Sequence, residues 1–133
     1  MKVLIADDNR GYRERLSSIL GGMEGIDTIC EAGDVPGAIE AIERMCPQVV
    51  ILDIVMPGGS GLDVLRFAKN QSPAPKVIML TLAPKREFYS HCMAAGADYF
   101  FRKADDVGRM IAVLKKETRK RRGPFSRWSA RPR

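Results

Sequence analysis

The sequence predicts an α/β fold in which a parallel sheet is covered by helices on both faces, and three observations lead there. Five short runs of β-branched, aromatic and aliphatic residues alternate with five segments whose apolar residues recur at helical spacing. Several of the short runs are almost continuously apolar, as strands buried on both faces must be. Glycine and proline fall between the segments, at Gly21-Gly22, Pro47, Pro57-Gly58-Gly59, Pro73, Pro84 and Gly96.

Taken in order, the strands are expected at Lys2–Ala6, Thr28–Glu31, Val49–Leu52, Lys76–Leu80 and Tyr99–Arg102. The first helix places Tyr12, Leu16, Ile19 and Leu20 on one face. The second carries Val35, Ala38, Ile39, Ile42, Met45 and Cys46, with Asp34 as its N-cap and Pro36 tolerated in the first turn. Leu62, Leu65 and Ala68 mark the third helix, and Phe88, Cys92 and Ala95 the fourth. Val107, Met110, Ile111 and Leu114 mark the fifth.

Composition narrows the class. The 133 residues suit one domain, and an apolar share of 45% excludes a disordered or collagen-like polymer. No apolar run reaches the ~18–20 residues of a membrane span. Asp7 interrupts the N-terminus before a signal-peptide core develops, so a cytoplasmic protein is expected. Cys30, Cys46 and Cys92 are odd in number and form no zinc-type cluster; they are expected to be reduced thiols in or near the core. His91 has no acidic partner at ligand spacing and reads as surface. The methionines read as core filler, apart from Met1 and Met56.

Charge is unevenly placed. Residues 1–114 hold 13 basic and 15 acidic side chains, whereas residues 115–133 hold nine basic side chains and only Glu117. The net charge of +6 therefore belongs to a tail. From Lys115 to Arg122 the fifth helix continues in register but without an apolar face, so it is expected to protrude or fray, and Gly123-Pro124 ends it. Phe125 and Trp128 lie among arginines beyond. A solvated extension is the plainest reading; contact with nucleic acid or an anionic membrane surface, or docking on a protein, are the alternatives.

In doubly wound sheets the functional crevice lies outside the carboxyl ends of the strands. Here those ends carry Asp7-Asp8, Asp53, Thr81 and Lys103. In the flavodoxin-like order 2-1-3-4-5, a (βα)5 three-layer sandwich, strands 1, 3, 4 and 5 are neighbours about 4.8 Å apart, so these residues converge. Crowded carboxylates repel one another and take up protons unless a cation neutralises them, and hard oxygen ligands of this kind suit Mg²⁺. A carboxylate beside a metal, a lysine and a hydroxyl is set to accept a phosphoryl group.

The set Asp7-Asp8, Asp53-Ile54-Val55-Met56-Pro57-Gly58-Gly59-Ser60-Gly61-Leu62, Thr81, Ala94-Ala95-Gly96-Ala97-Asp98, Phe100 and Lys103 resembles the receiver domain of two-component response regulators, over residues 1–118. The resemblance implies that Asp53 is the phosphoacceptor, taking its phosphoryl group from a sensor histidine kinase or phosphotransfer protein. It implies that Asp7, Asp8, Asp53 and the backbone carbonyl of Val55 hold Mg²⁺. It gives Lys103 and Thr81 contacts to the phosphoryl group, and Phe100 a rotamer change that follows. Phosphorylation would then repack the face made by the fourth helix, fifth strand and fifth helix, controlling a protein target or self-association. On this reading the chain is a bacterial, stand-alone phosphorelay switch with a basic tail at 119–133. It would catalyse only its own phosphorylation and dephosphorylation. A nucleic-acid-binding regulator working through the tail is the alternative.

The chain departs from the family pattern in three ways. Ala104 follows Lys103 where the family usually has proline, which often supports a cis peptide. Leu82, larger than the usual small residue, is expected to modulate access to Asp53. Val55 and Ala83 offer no amide or carboxylate to orient a hydrolytic water, so slow self-dephosphorylation is expected. Two other phosphate chemistries fit poorly. A flavodoxin-type flavin carrier needs a Ser/Thr/Gly-rich loop where Asp7-Asp8-Asn9-Arg10-Gly11 stands, and a haloacid-dehalogenase-type phosphatase needs its two aspartates two residues apart.

Overall fold

The computed structural model describes residues 1–82 and 86–122. Strands β1 (Lys2–Ala6), β2 (Thr28–Ala32), β3 (Val49–Leu52), β4 (Lys76–Thr81) and β5 (Tyr99–Arg102) form one sheet. All its pairings are parallel, and its order is β2-β1-β3-β4-β5. This is the predicted 2-1-3-4-5 flavodoxin-like arrangement. β2 and β4 each run one residue past expectation, because Ala32 pairs with Ala6 and Thr81 with Arg102 in the ladders. Between the strands lie helices α1 (Arg10–Gly21), α2 (Val35–Met45), α3 (Gly61–Lys69), α4 (Arg86–Ala94) and α5 (Val107–Arg122).

Alternation along each strand divides the core in two. Leu4, Val50, Leu52, Val77 and Met79 point to the side covered by α2, α3 and α4. Val3, Ile5, Val49, Ile51, Ile78, Leu80 and Phe101 point to the side where Leu16 and Leu20 of α1 and Met110 and Leu114 of α5 pack. This two-sided burial is why the strand sequences are nearly all apolar. Asp34 caps α2 as predicted, its side chain accepting from the Gly37 N–H at 2.7 Å.

Four side-chain placements differ from expectation. The buried stripe of α1 runs through Tyr12, Leu16 and Leu20, which leaves Ile19 at its margin and exposed. Cys46 is exposed, because as C-cap of α2 it adopts the left-handed conformation (φ 50°) and its side chain leaves the core face. Met1 and Met56 are both core residues. The largest correction concerns α5. Its basic extension neither frays nor simply protrudes, since Glu117 and Thr118 are buried and Thr118 packs against the turn at Gly25. Residues 123–133, and with them Phe125 and Trp128, lie outside the described residues.

The loop after β3 is fixed tightly. Val55–Met56 and Gly59–Ser60 form a two-residue antiparallel ladder, the Val35 N–H donates to the Pro57 carbonyl (3.0 Å), and Ser60 caps α3 in a reciprocal box with Asp63. Gly61 enters α3 so close to the preceding strand that its N–H reaches the Ile54 carbonyl at 2.6 Å. A Cβ there would fall inside the contact radius of the Asp53 carbonyl oxygen. Gly61→Ala is therefore expected to destabilise the fold by about 1–3 kcal/mol, the range for overpacking a tight site. Urea denaturation measures this, and an unchanged midpoint would contradict it.

Candidate functional site

Sheet register brings the site together. Ala6 pairs with Leu52 and Leu52 with Met79, so Asp7 and Asp53 leave the sheet level with each other, one strand apart. The backbone secures this: Asp53 N–H donates to the Ala6 carbonyl (2.9 Å) and Lys103 N–H to the Thr81 carbonyl (2.9 Å). Carboxylate oxygens of Asp7, Asp8 and Asp53 lie within 4.8 Å of one another, with Asp7 and Asp53 buried and Asp8 exposed. Lys103, on the loop after β5, reaches into the same spot. Its Nζ is 2.5 Å from Asp7 Oδ2 and 3.2 Å from Asp53 Oδ2.

The Asp7-Asp8 pair does not cap α1; Asn9 does, accepting from the Tyr12 N–H. Asp7 Oδ1 instead accepts from the Asn9 N–H (2.9 Å), leaving Oδ2 for Lys103. Asp53 is held similarly, with Oδ1 accepting from the Ile54 N–H (2.7 Å) and Oδ2 facing Lys103. Each buried carboxylate thus has one oxygen anchored by backbone and one turned to the shared ammonium.

Burial raises the pKa of Asp53 above the usual carboxylate value and the charge of Asp7 adds to this, while Lys103 and the Ile54 N–H offset it only in part. For Lys103, burial alone would lower the pKa, but the hydrogen bond to Asp7 and the charges of Asp53 and Asp7 outweigh it and the pKa is raised. The side chain is therefore an ammonium ion. One ammonium among three carboxylates leaves the cluster anionic, and its donors are all hard oxygens, which fits a small divalent cation such as Mg²⁺.

The remaining predicted residues fall around this centre. Thr81 ends β4 and is buried, and Leu82 beyond it is 73% exposed. Val55 is exposed in the short ladder opposite Ser60. Phe100 packs into the α2–α4 side of the core, where Tyr89 of α4 meets it edge-on at 5.3 Å, while its neighbours Tyr99 and Phe101 point to the opposite side. The Lys103–Ala104 bond is not cis, as Ser72–Pro73 is the one cis peptide among the described residues. The missing proline therefore does not keep Lys103 from both carboxylates. Ala83 lies outside the described residues.

Sequence reasoning missed two supporting residues. Tyr12 was legible only as part of an apolar stripe; its ring lies 4.5 Å beneath the Lys103 ammonium, a cation–π contact of about 0.5–2 kcal/mol. Its hydroxyl is buried without a hydrogen-bond partner among the described residues, and burial raises its pKa. Arg13 gave no signal at all, yet its Nη1 donates to the Asp7 carbonyl (2.5 Å) and its Nε pairs with Glu31 (3.2 Å), fixing the loop that carries both acids.

The family model described as the response regulator receiver domain matches residues 3–115. The chain belongs to this family. Among curated relatives, it is 42% identical over 83 residues to a protein-glutamate methylesterase/protein-glutamine glutaminase of Anaeromyxobacter dehalogenans, covering 62% of this chain and 23% of that protein. It is 32% identical over 115 residues to the oxygen regulatory protein NreC of Staphylococcus haemolyticus, covering 85% and 53%. This receiver thus spans between about a quarter and half of these relatives' length. Of solved structures, the N-terminal domain of a Wolinella succinogenes protein superposes with a TM-score of 0.80 at 28% identity, covering 90% of this chain and 94% of that one. The BeF3-activated receiver domain of Klebsiella pneumoniae RstA superposes with a TM-score of 0.79 at 23% identity, covering 90% and 99%, a likeness of fold.

The charge balance of the receiver site has a measurable consequence for stability. A carboxyl whose folded pKa lies above its unfolded one favours folding while protonated; that contribution is present below the unfolded pKa and is lost as pH rises through the folded one. Ionised Asp53 therefore costs stability at neutral pH. Asp53→Asn is expected to raise the denaturation midpoint at pH 7 in metal-free buffer, with the gain shrinking as pH falls toward about 4, the ordinary carboxylate range. A midpoint unchanged or lowered at pH 7 would contradict this.

Proposed function

We propose that this receiver is a phosphorylation-controlled switch in which Asp53 accepts a phosphoryl group from a sensor histidine kinase or phosphotransfer protein. The observation that carries the reading is the convergence of Asp7, Asp8 and Asp53 around the Lys103 ammonium at the carboxyl end of the sheet. Asp53 Oδ2 is the nucleophile. The phosphorus–nitrogen bond of the donor phosphohistidine breaks as the phosphorus–oxygen bond to Asp53 forms, and the leaving imidazole recovers a proton.

Asp7, Asp8, Asp53 and the Val55 carbonyl are the residues assigned to hold Mg²⁺, which when bound offsets the negative charge of the phosphoryl oxygens. The chain's own groups do the rest. The Ile54 N–H fixes the Asp53 carboxylate, and Lys103 exchanges its Asp53 contact for a phosphoryl oxygen. Tyr12 and Asp7 keep that ammonium in place during the exchange. Thr81 supplies a hydroxyl to the phosphoryl group from the end of β4. Phe100, wedged against Tyr89, passes the change to the α4–β5–α5 face, and from there to a protein target or a second copy of the chain. The chemistry stops at Asp53 and its own hydrolysis, with no separate substrate turned over. The setting is cytoplasmic, where histidine kinases present their phosphohistidine, and the receiver occupies residues 1–118.

Incubation with acetyl phosphate and Mg²⁺ is expected to add one phosphoryl mass to the intact protein, and Asp53→Asn is expected to abolish the gain. A phosphorylated Asp53→Asn variant, or a wild type unmodified by both acetyl phosphate and phosphorylated kinases, would refute the reading. Leu82→Ala is expected to shorten the lifetime of the acyl phosphate, because a bulky side chain just beyond β4 is assigned the role of limiting water's access to Asp53; equal half-lives would remove that role.

A further inference from the structure

Lys103 supplies the positive charge of the site, yet it stands on a loop and not in a strand. One residue beyond β5, its backbone is tied to the sheet by the bond from its N–H to the Thr81 carbonyl (2.9 Å). Ala104 has no ring to fix its φ, and both Ala104 and Asp105 are exposed. A lysine stem is flexible, so an ammonium buried between two carboxylates needs its backbone held.

Asp106 provides that hold. An acid just before a helix commonly caps it, but this carboxylate turns back along the chain. Its Oδ2 accepts from the Arg102 N–H (2.9 Å), while its own N–H donates to the Arg102 carbonyl (3.0 Å). The two bonds close a ring around Lys103, Ala104 and Asp105. Oδ1 accepts from Arg109 Nη1 in the first turn of α5 (3.4 Å), and the Asp106 carbonyl accepts from the N–H of the buried Met110 (3.0 Å), so the ring is rooted in the core. The Arg102 N–H and the Arg109 guanidinium hold the Asp106 carboxyl below the usual carboxylate range, which keeps it an acceptor at neutral pH. Asp105 differs: among the described residues it pairs with the Arg102 guanidinium alone, and both side chains are about half exposed, where solvent leaves an ion pair little to contribute.

We propose that Asp106 is a positioning residue for the phosphoryl chemistry, its return bonds to Arg102 holding the loop that aims Lys103 at Asp53 and Asp7. Its effect on phosphorylation rests on the reading of Asp53 as phosphoacceptor, whereas its hold on Lys103 does not.

The two effects are measured apart on the full chain. In metal-free protein near neutral pH, NMR of ¹⁵N-labelled lysine is expected to show a slowly exchanging Lys103 ammonium, identified by its loss in Lys103→Met. Asp106→Ala is expected to speed its exchange with water about tenfold, the scale of one hydrogen bond to a charged group. Asp106→Asn keeps an oxygen for the Arg102 N–H and is expected to exchange as wild type does, as is Asp105→Ala. Should the alanine variant fold poorly, Asp106→Ser replaces it. Serine still caps helices, but its hydroxyl ends where the carboxyl carbon of Asp106 stands, one bond short of the Arg102 N–H. Phosphorylation by acetyl phosphate with Mg²⁺ is expected to slow about tenfold in the same variants and to be kept by Asp106→Asn. A wild-type ammonium already in fast exchange would overturn the proposal. So would wild-type exchange in Asp106→Ala and Asp106→Ser, an equal effect from Asp105→Ala, or faster exchange at an unchanged phosphorylation rate. The expected exchange pattern in a protein that takes up no phosphoryl group would instead overturn the phosphoacceptor reading and leave the hold on Lys103 established.

Discussion

A single buried ammonium ion shared by two buried carboxylates holds the functional end of this protein together. Lys103 follows the last strand of the sheet, Asp7 the first and Asp53 the third, so its contacts tie three chain segments that are distant in sequence. Burial would drive Lys103 and Asp53 toward their neutral forms if each stood alone. Placed together, the carboxylates keep Lys103 charged, while Lys103 only partly relieves Asp53. The site is left short of positive charge, the condition under which a divalent cation and the oxygens of a phosphoryl group have something to bind to.

The scaffold makes that shortage affordable. Two apolar layers, one on each face of the sheet, fix the strands in register, and the register alone sets Asp7 level with Asp53. Backbone N–H groups of Asn9 and Ile54 then take one oxygen of Asp7 and of Asp53, and Arg13 pins the loop carrying Asp7 and Asp8 through the Asp7 carbonyl. Gly61 lets α3 begin against Asp53 without displacing it. The repulsion of the grouped carboxylates is offset by backbone hydrogen bonds to the carboxylates themselves and by the packing that fixes the strands.

The same division of labour appears at the other end of the molecule. α5 does two jobs along one helix: Met110 and Leu114 complete the core beside α1, and the turns beyond carry cations outward. The buried Glu117 and Thr118 decide where those cations point, because they anchor the helix against the Gly25 turn and neighbouring basic groups.

Much of this was legible in the chain itself. Strand and helix positions followed from alternating apolar periods, since a strand buried on both faces and a helix buried on one leave different patterns. Asp7, Asp8, Asp53, Thr81 and Lys103 stood out because parallel sheets collect the residues at their strand ends. Ile19, Cys46 and the seating of α5 were not legible. The margin of a helix face, the direction of a left-handed cap and the burial of one acid among basic residues depend on what packs opposite. The roles of Tyr12 and Arg13 arose in the same way: a ring beneath an ammonium and a guanidinium against a carbonyl are contacts between segments. Periodicity and strand-end chemistry are local properties and are written along the chain, whereas pairing across the fold exists only once the segments have met.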